Sequence, residues 1–229
     1  MGGIMLKRFF ALAAVALLSA CAVTNTATFS GQYEPPPANS RVVVMTPNVE
    51  LHLLTAAGIP QPREDWSVAG RDNLSANIAA FVTAESHTPS TLDPNTAMEG
   101  RVGQIIRLHD AVGFSLIQRA ALPTQRDRFE WTLGEGVQEL GTAHQADYAL
   151  FVGAYGTYAS AGRVAMMVGL AALGVGIPLG SQGAYASLVD LRTGNVIWFN
   201  TVLAAPGQDM REPEGAQSLV QSLMKDAPL

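Results

Sequence analysis

Apolar positions recur along this chain at two periods, and one long run obeys neither. Val42, Val43, Val44 and Met45 form a continuous run closed by Pro47, which reads as a buried strand over 41–46. Residues 49–54 fit a second short strand or a turn of helix, and Pro60 and Pro62 keep the following loop out of a helix. Leu74, Ile78, Phe81 and Val82 fall at i, i+4, i+7 and i+8, the stripe of an amphipathic helix over 68–84. Pro89, Pro94 and their polar neighbours mark 86–96 as loop. Val102, Ile105, Ile106, His109, Val112, Leu116 and Ile117 share one face of a helix over 97–118.

Thr132 and Glu135 stand at capping-box spacing, so a helix is expected over 132–144 with Leu133, Val137 and Leu140 inward. Tyr148, Leu150 and Val152 alternate as in a strand over 147–157. Residues 184–203 read as a hairpin turning at Thr193-Gly194-Asn195. Pro213 opens a helix over 213–226 that carries Leu219, Val220, Leu223 and Met224 on one face. These elements describe an α/β fold: a single-domain sandwich over 41–229, with a mixed β-sheet and helices packed mainly on one face. No fixed-period repeat is present, which excludes solenoids and propellers.

The run that fits neither period is 164–180. It contains four glycines and Pro178, and no charge occurs between Arg163 and Asp190. Three arrangements suit it: a Gly/Ala-rich helix or hairpin buried in the fold, an element that dips into a membrane or docks a partner, or a transmembrane span. For a span it is short, since about 20 apolar residues are needed. Within the segment 163–183, Met166, Met167, Val168, Leu170, Leu173, Val175 and Ile177 are the candidate contact residues.

A second apolar run lies at the N-terminus. Lys7 and Arg8 precede the apolar stretch 9–18, and the small residues Ser19 and Ala20 lead to Cys21. This is the charge and length pattern of a secretory signal. Leu18-Ser19-Ala20-Cys21 closely resembles the lipobox of bacterial lipoproteins. The resemblance implies a signal peptide over 1–20, removed before Cys21, and a cysteine carrying a thioether-linked diacylglycerol and an amide-linked acyl chain such as palmitate. Ala22, where an Asp would favour retention in the inner membrane, implies the periplasmic face of the outer membrane, with the periplasmic face of the inner membrane as the alternative. Residues 21–40, Thr-rich and ending in Pro35-Pro36-Pro37, read as an extended tether.

Composition sharpens this picture mainly by exclusion. Of 229 residues, 48% are hydrophobic and 14% charged, against about 25% charged in typical soluble domains. Mean hydropathy is +0.18, so apolar sequence is needed somewhere besides an ordinary core. The net charge is −5, two units more negative without Lys7 and Arg8, and no basic cluster supports nucleic-acid binding. The single cysteine, Cys21, excludes internal disulfides, redox pairs and multi-cysteine metal sites.

Chemical motifs are few. Lys7 and Lys225 are the only lysines, and neither follows a phosphate-binding glycine loop. Gly174, Gly176 and Gly180 miss the dinucleotide spacing, and Gly113-Phe-Ser115-Leu-Ile117 fails the nucleophile-elbow pattern at its last position. His52, His87, His109 and His144 lack ligand spacing, so no metal and no cofactor is expected. His109-Asp110 and His144 with Asp147 are the nearest acid–base pairs. The acidic pairs Glu64-Asp65 and Glu135/Glu139 read as solvated faces. Trp66, Trp131 and Trp198 suit core plugs or the lining of a groove.

Asp190-Leu-Arg-Thr193-Gly194-Asn-Val-Ile-Trp198, preceded by Gly141 through Ala146-Asp147-Tyr148-Ala-Leu150, resembles a helix–strand–hairpin unit of bacterial envelope lipoproteins. It is similar to the α/β module of the curli-secretion-channel and penicillin-binding-protein activator lipoproteins. Val49-Glu50-Leu51 with Pro62-Arg63-Glu64-Asp65-Trp66 likewise resembles a proteobacterial lipoprotein group of unassigned activity. The resemblance implies assembly rather than chemistry: a non-enzymatic accessory factor of an envelope complex, with an envelope protein or a second copy as partner. A lipoprotein that binds lipid or an apolar ligand is the alternative, and a hydrolase using His109 or His144 is the third reading.

Overall fold

The computed structural model describes residues 22–97, 99–122 and 128–229. Eight strands, β1 (Val23–Thr28), β2 (Arg41–Met45), β3 (Asn48–Leu54), β4 (Pro60–Pro62), β5 (Thr88–Leu92), β6 (Tyr148–Ala159), β7 (Gly180–Asp190) and β8 (Val196–Leu203), join in one open mixed sheet. Among the described residues five α-helices accompany them: α1 (Glu64–Ala84), α2 (Gly100–Ile117), α3 (Gln138–His144), α4 (Ala161–Ala171) and α5 (Pro213–Leu223).

The long strand β6 organises the sheet. On one side it pairs antiparallel with β7 along its whole length, and β8 and then β1 follow. On the other side it serves two parallel strands in succession. Val42–Val44 of β2 run beside Tyr148–Leu150, and Asn48–Leu54 of β3 run beside Gly153–Ala159. Three residues of the first chain (45–47) thus oppose two of β6 (151–152), which is a bulge. Pro47 has no N–H to give the ladder, so the break falls there. The extra residue also reverses the side-chain parity. Val42 and Val44 share a face with Val49 and Leu51, while Val43 and Met45 turn to the other.

Both faces of the central strands are apolar, and each needs a cover. α1 and α5 supply it on one side through Leu74, Ile78, Val82, Leu219 and Leu223, packed around Trp198 and Leu150. α2 and α3 supply it on the other through Ile105, Leu116 and Leu140, packed around Phe151 and Phe199. The α/β fold and mixed sheet are as the sequence pattern implies, but the helices cover both faces rather than mainly one. The continuous apolar run in β2 is the reason, because it marks a strand buried on two sides.

Other boundaries moved for local reasons. Residues 23–28, expected in the tether, are edge strand β1, paired with β8 from Val23–Leu203 to Thr28–Trp198. Two expected loops hold the short strands β4 and β5, whose prolines are tolerated because each strand has only one ladder neighbour. The capping box at Thr132 does not form. Thr132 instead bridges Asn195, and its hydroxyl donates to Gly194 O and accepts from Gly134 N. Helix α3 starts only at Gln138, after a 3-10 turn.

The hairpin signature is turn chemistry. The buried Asp190 carboxylate accepts from the Arg192 backbone N–H at 2.8 Å and from its guanidinium at 3.0 Å. Gly194 has φ +80°, and a Cβ there would strike the Gly134 backbone, so only glycine fits. Buried Asn200 donates to the carbonyls of Ser222 and Leu223, closing the C-terminal end of α5.

The layers predict a contrast between two large side chains on helices. Leu74→Ala, at a fully buried site, lowers the unfolding free energy by about 2–5 kcal/mol. Phe114→Ala, where the ring is 69% exposed, changes it by no more than about 0.5 kcal/mol. Urea denaturation of both variants is the check.

Candidate functional site

Beyond Ala159 the chain leaves the sheet, forms α4, turns through residues 172–179 and re-enters at Gly180. Ser160 starts the helix, its hydroxyl accepting from the Arg163 backbone N–H at 3.2 Å. Among the described residues nothing closes over the helix. Leu173 is 78% exposed and Val168 63%, and Val164, Met166, Val175 and Leu179 are exposed as well. Met167, Leu170 and Ile177 are half-buried. The arrangement as an element buried in the fold is therefore excluded. No helix among the described residues is long and apolar enough to cross a membrane.

Arg163 closes the neck of this excursion. Its side chain is turned inward, with Nε donating to Pro178 O at 2.7 Å and a terminal nitrogen 3.5 Å from Ala56 O. One guanidinium thus ties the outgoing helix, the returning chain and the β3–β4 turn.

A stacked cluster is built on Tyr158, two residues before the helix cap Ser160. The Arg211 guanidinium sits 3.5 Å from the centre of the Tyr158 ring and 4.6 Å from that of Trp66, and Arg63 lies 4.1 Å from the same tryptophan. The Tyr158 hydroxyl is 2.6 Å from Gln182 Oε1 and 2.9 Å from Asp209 Oδ1. Burial, then the Asp209 charge, pushes the phenol well above its ordinary range. Burial works to raise the Asp209 carboxyl too, but hydrogen bonds from Arg211 outweigh it and hold the group below its usual range. These contacts join α1, β6 and the loop before α5. Asp65, from the acidic pair at the start of α1, is taken up by Arg63 at 2.6 Å.

The acid–base candidates fall elsewhere. His109 of α2 is 1% exposed, its ring stacked 3.7 Å from that of Phe151, and its Nε2 lies 2.6 Å from Ser187 Oγ. Asp110 Oδ1 is 3.9 Å from Nδ1. The order of groups imitates a nucleophile, base and carboxylate, but Ser187 has no exposed surface and cannot meet a substrate. Burial lowers the His109 pKa, opposed in part by Asp110, so the ring is neutral. His109 and Asp110, but not Ser187, border a cleft of about 210 Å³ at the β2–β3 bulge, with Thr46, Asn48, Asn95 and Tyr185 on its walls.

The remaining candidates are scattered. His144 lies in the last turn of α3, and Glu139 pairs with Arg101 at 3.2 Å on the surface. Trp198 is core, Trp131 packs at the edge of the second cluster and Trp66 belongs to the stack, so the three tryptophans line no common groove. Among the described residues no group of three or more His, Cys, Asp or Glu could hold a metal ion. Cys21 and the expected signal segment 1–20 lie outside the described residues. Arg163, Tyr158 and Arg211 had no motif to announce them, whereas Arg63 and Trp66 of the stack fall in the segment 62–66 singled out in the sequence. The one signal for Arg163 was its place as the last charge before a long uncharged run.

Two predictions follow from this geometry. Below the ordinary histidine value of 6.5, the unfolded chain takes up a proton that native His109 refuses. The stability contribution is thus complete above that pH and is lost as pH falls, with a slope of up to about 1.4 kcal/mol per pH unit. His109→Gln flattens that part of the pH–stability curve. Separately, Arg163→Ala removes a charge-assisted hydrogen bond worth about 1.5–3 kcal/mol and loosens the neck, which hydrogen exchange over 164–179 will register as faster exchange.

No family model and no curated protein matches this chain. Among solved structures it is similar to the PelC dodecamer from Paraburkholderia phytofirmans, at 12% identity and a TM-score of 0.39, over 91% of this chain and 98% of that one. It is also similar to a point-variant PelC dodecamer from the same organism, at 11% identity and a TM-score of 0.38, over 91% and 96% of the two chains. The likeness is a distant one of backbone course.

Proposed function

We propose that this chain is a lipid-anchored, non-enzymatic protein of the bacterial envelope, an accessory or assembly factor held by acylated Cys21 at the periplasmic face of the outer membrane. The observation that carries the reading is the exposed apolar excursion 163–183. A contiguous apolar projection of this kind, unlike a singly exposed side chain such as Phe114, marks an interaction surface. The lipobox-like sequence at Cys21 supplies the address. What supports assembly over hydrolysis is the burial of Ser187, which withholds the one hydroxyl hydrogen-bonded to His109 from any substrate. The alternative of an apolar-ligand carrier draws less support, because the excursion holds its side chains outward.

The reading predicts that the wild-type chain incorporates labelled fatty acid in cells, and that Cys21→Ser abolishes the label and leaves the precursor uncut. Crosslinking in intact cells then captures an envelope protein or a second copy. A wild-type chain that takes up no fatty acid overturns the assignment.

A further inference from the structure

We infer that the excursion 163–183 is seated in the same bilayer leaflet that holds the acyl chains of Cys21, so that the domain is fixed to the membrane at two points and its orientation is set. This rests on the lipoprotein reading above and names the occupant of the exposed surface as lipid.

The sheet register brings the two points together. Val23, Leu203, Gly183 and Tyr155 form one row across β1, β8, β7 and β6. Cys21 lies two residues before Val23, within about 7 Å of chain. The excursion leaves β6 four residues beyond Tyr155 and returns three residues before Gly183, roughly 10–13 Å further along the strands. β1 and β7 are two strand spacings apart, about 10 Å. Anchor and excursion therefore issue from one end of the sheet, and Val23, Tyr155 and Leu203 are exposed between them. A covalently tethered bilayer is present at that end at high effective concentration, as no diffusing partner is.

The chemistry of the excursion fits shallow immersion. No charge must be desolvated between Arg163 and Asp190, and Arg163 itself is turned into the neck. Helix α4 is about 16 Å long, too short to cross the core but enough to lie in the interface, where such helices sink about 5–10 Å. The start of the turn after it satisfies its donors: Leu173 and Val175 N–H donate to Leu170 O, and Gly174 N–H donates to Ala171 O. Backbone polar groups would otherwise oppose entry into lipid.

The test uses the acylated full-length protein in phosphatidylethanolamine–phosphatidylglycerol vesicles with brominated acyl chains. In Leu173→Cys the new thiol is the only free one, because the Cys21 sulfur is occupied by its lipid, and it takes a single fluorescent label. Immersion predicts several-fold quenching at position 173 and none in the same experiment with Asn195→Cys at the far hairpin. Adding Val168→Asp, an exposed change that leaves thermal unfolding unaltered, relieves the quenching at 173. An acylated protein whose label at 173 is unquenched, or crosslinks to a second copy instead, overturns the inference and leaves the lipoprotein reading standing. Uptake of two labels by Leu173→Cys shows an unmodified Cys21 and overturns both.

Discussion

Strand β6 has to satisfy two parallel partners on one edge, and most of the molecule follows from how it does so. A single strand cannot run beside all of it, because Pro47 withholds a donor at its middle. The bulge placed there restores pairing in β3 and reverses side-chain parity, so Val49 and Leu51 join the layer begun by Val42 and Val44. Without that reversal, Glu50 and His52 would face the α1 layer. The same break opens the cleft beside His109. It also leaves the far half of β6 with thinner cover on the α2 side, where Tyr155 is half in solvent.

The two ends of the sheet differ in character. At one end the β7–β8 turn carries Asp190 and Arg192, folded onto each other and onto Tyr148, with polar grooves around them. At the other, the excursion, the start of β1 and the exposed Leu203 offer apolar surface, and the charges close by are paired or stacked. The ends are roughly 35 Å apart along β7. With the apolar end in lipid, the polar end projects into the aqueous compartment, which is where an assembly partner would be met.

His109 shows why a site read from residue types can dissolve on folding. As a sequence feature it was a titratable group beside an acid, on the apolar stripe of a helix. The structure resolves the ambiguity by enclosing the ring between Phe151 and Ser187, where desolvation holds it neutral. Trp66 went the opposite way. It suited a core plug or a groove lining and sits in the middle of a stack of two guanidinium groups and Tyr158, of which Tyr158 and Arg211 lie more than ninety residues away in the chain.

What could be read in the linear chain was whatever depends on local period and turn chemistry. The stripe from Leu74 to Val82, the alternation from Tyr148 to Val152 and the Asp190–Gly194 turn each encode their own geometry within a dozen residues. The lipobox-like reading at Cys21 is likewise local, because it rests on four consecutive residues and the apolar run before them. The tertiary structure decided what depends on neighbours distant in sequence: that helices cover both faces, that residues 23–28 complete the sheet, and that 164–180 stands outside it. Apolarity alone states that a segment avoids water. Whether it does so in a core or on a membrane depends on the space left once the other elements have packed, and here α2 and α3 cover the first half of β6 and stop short of its end.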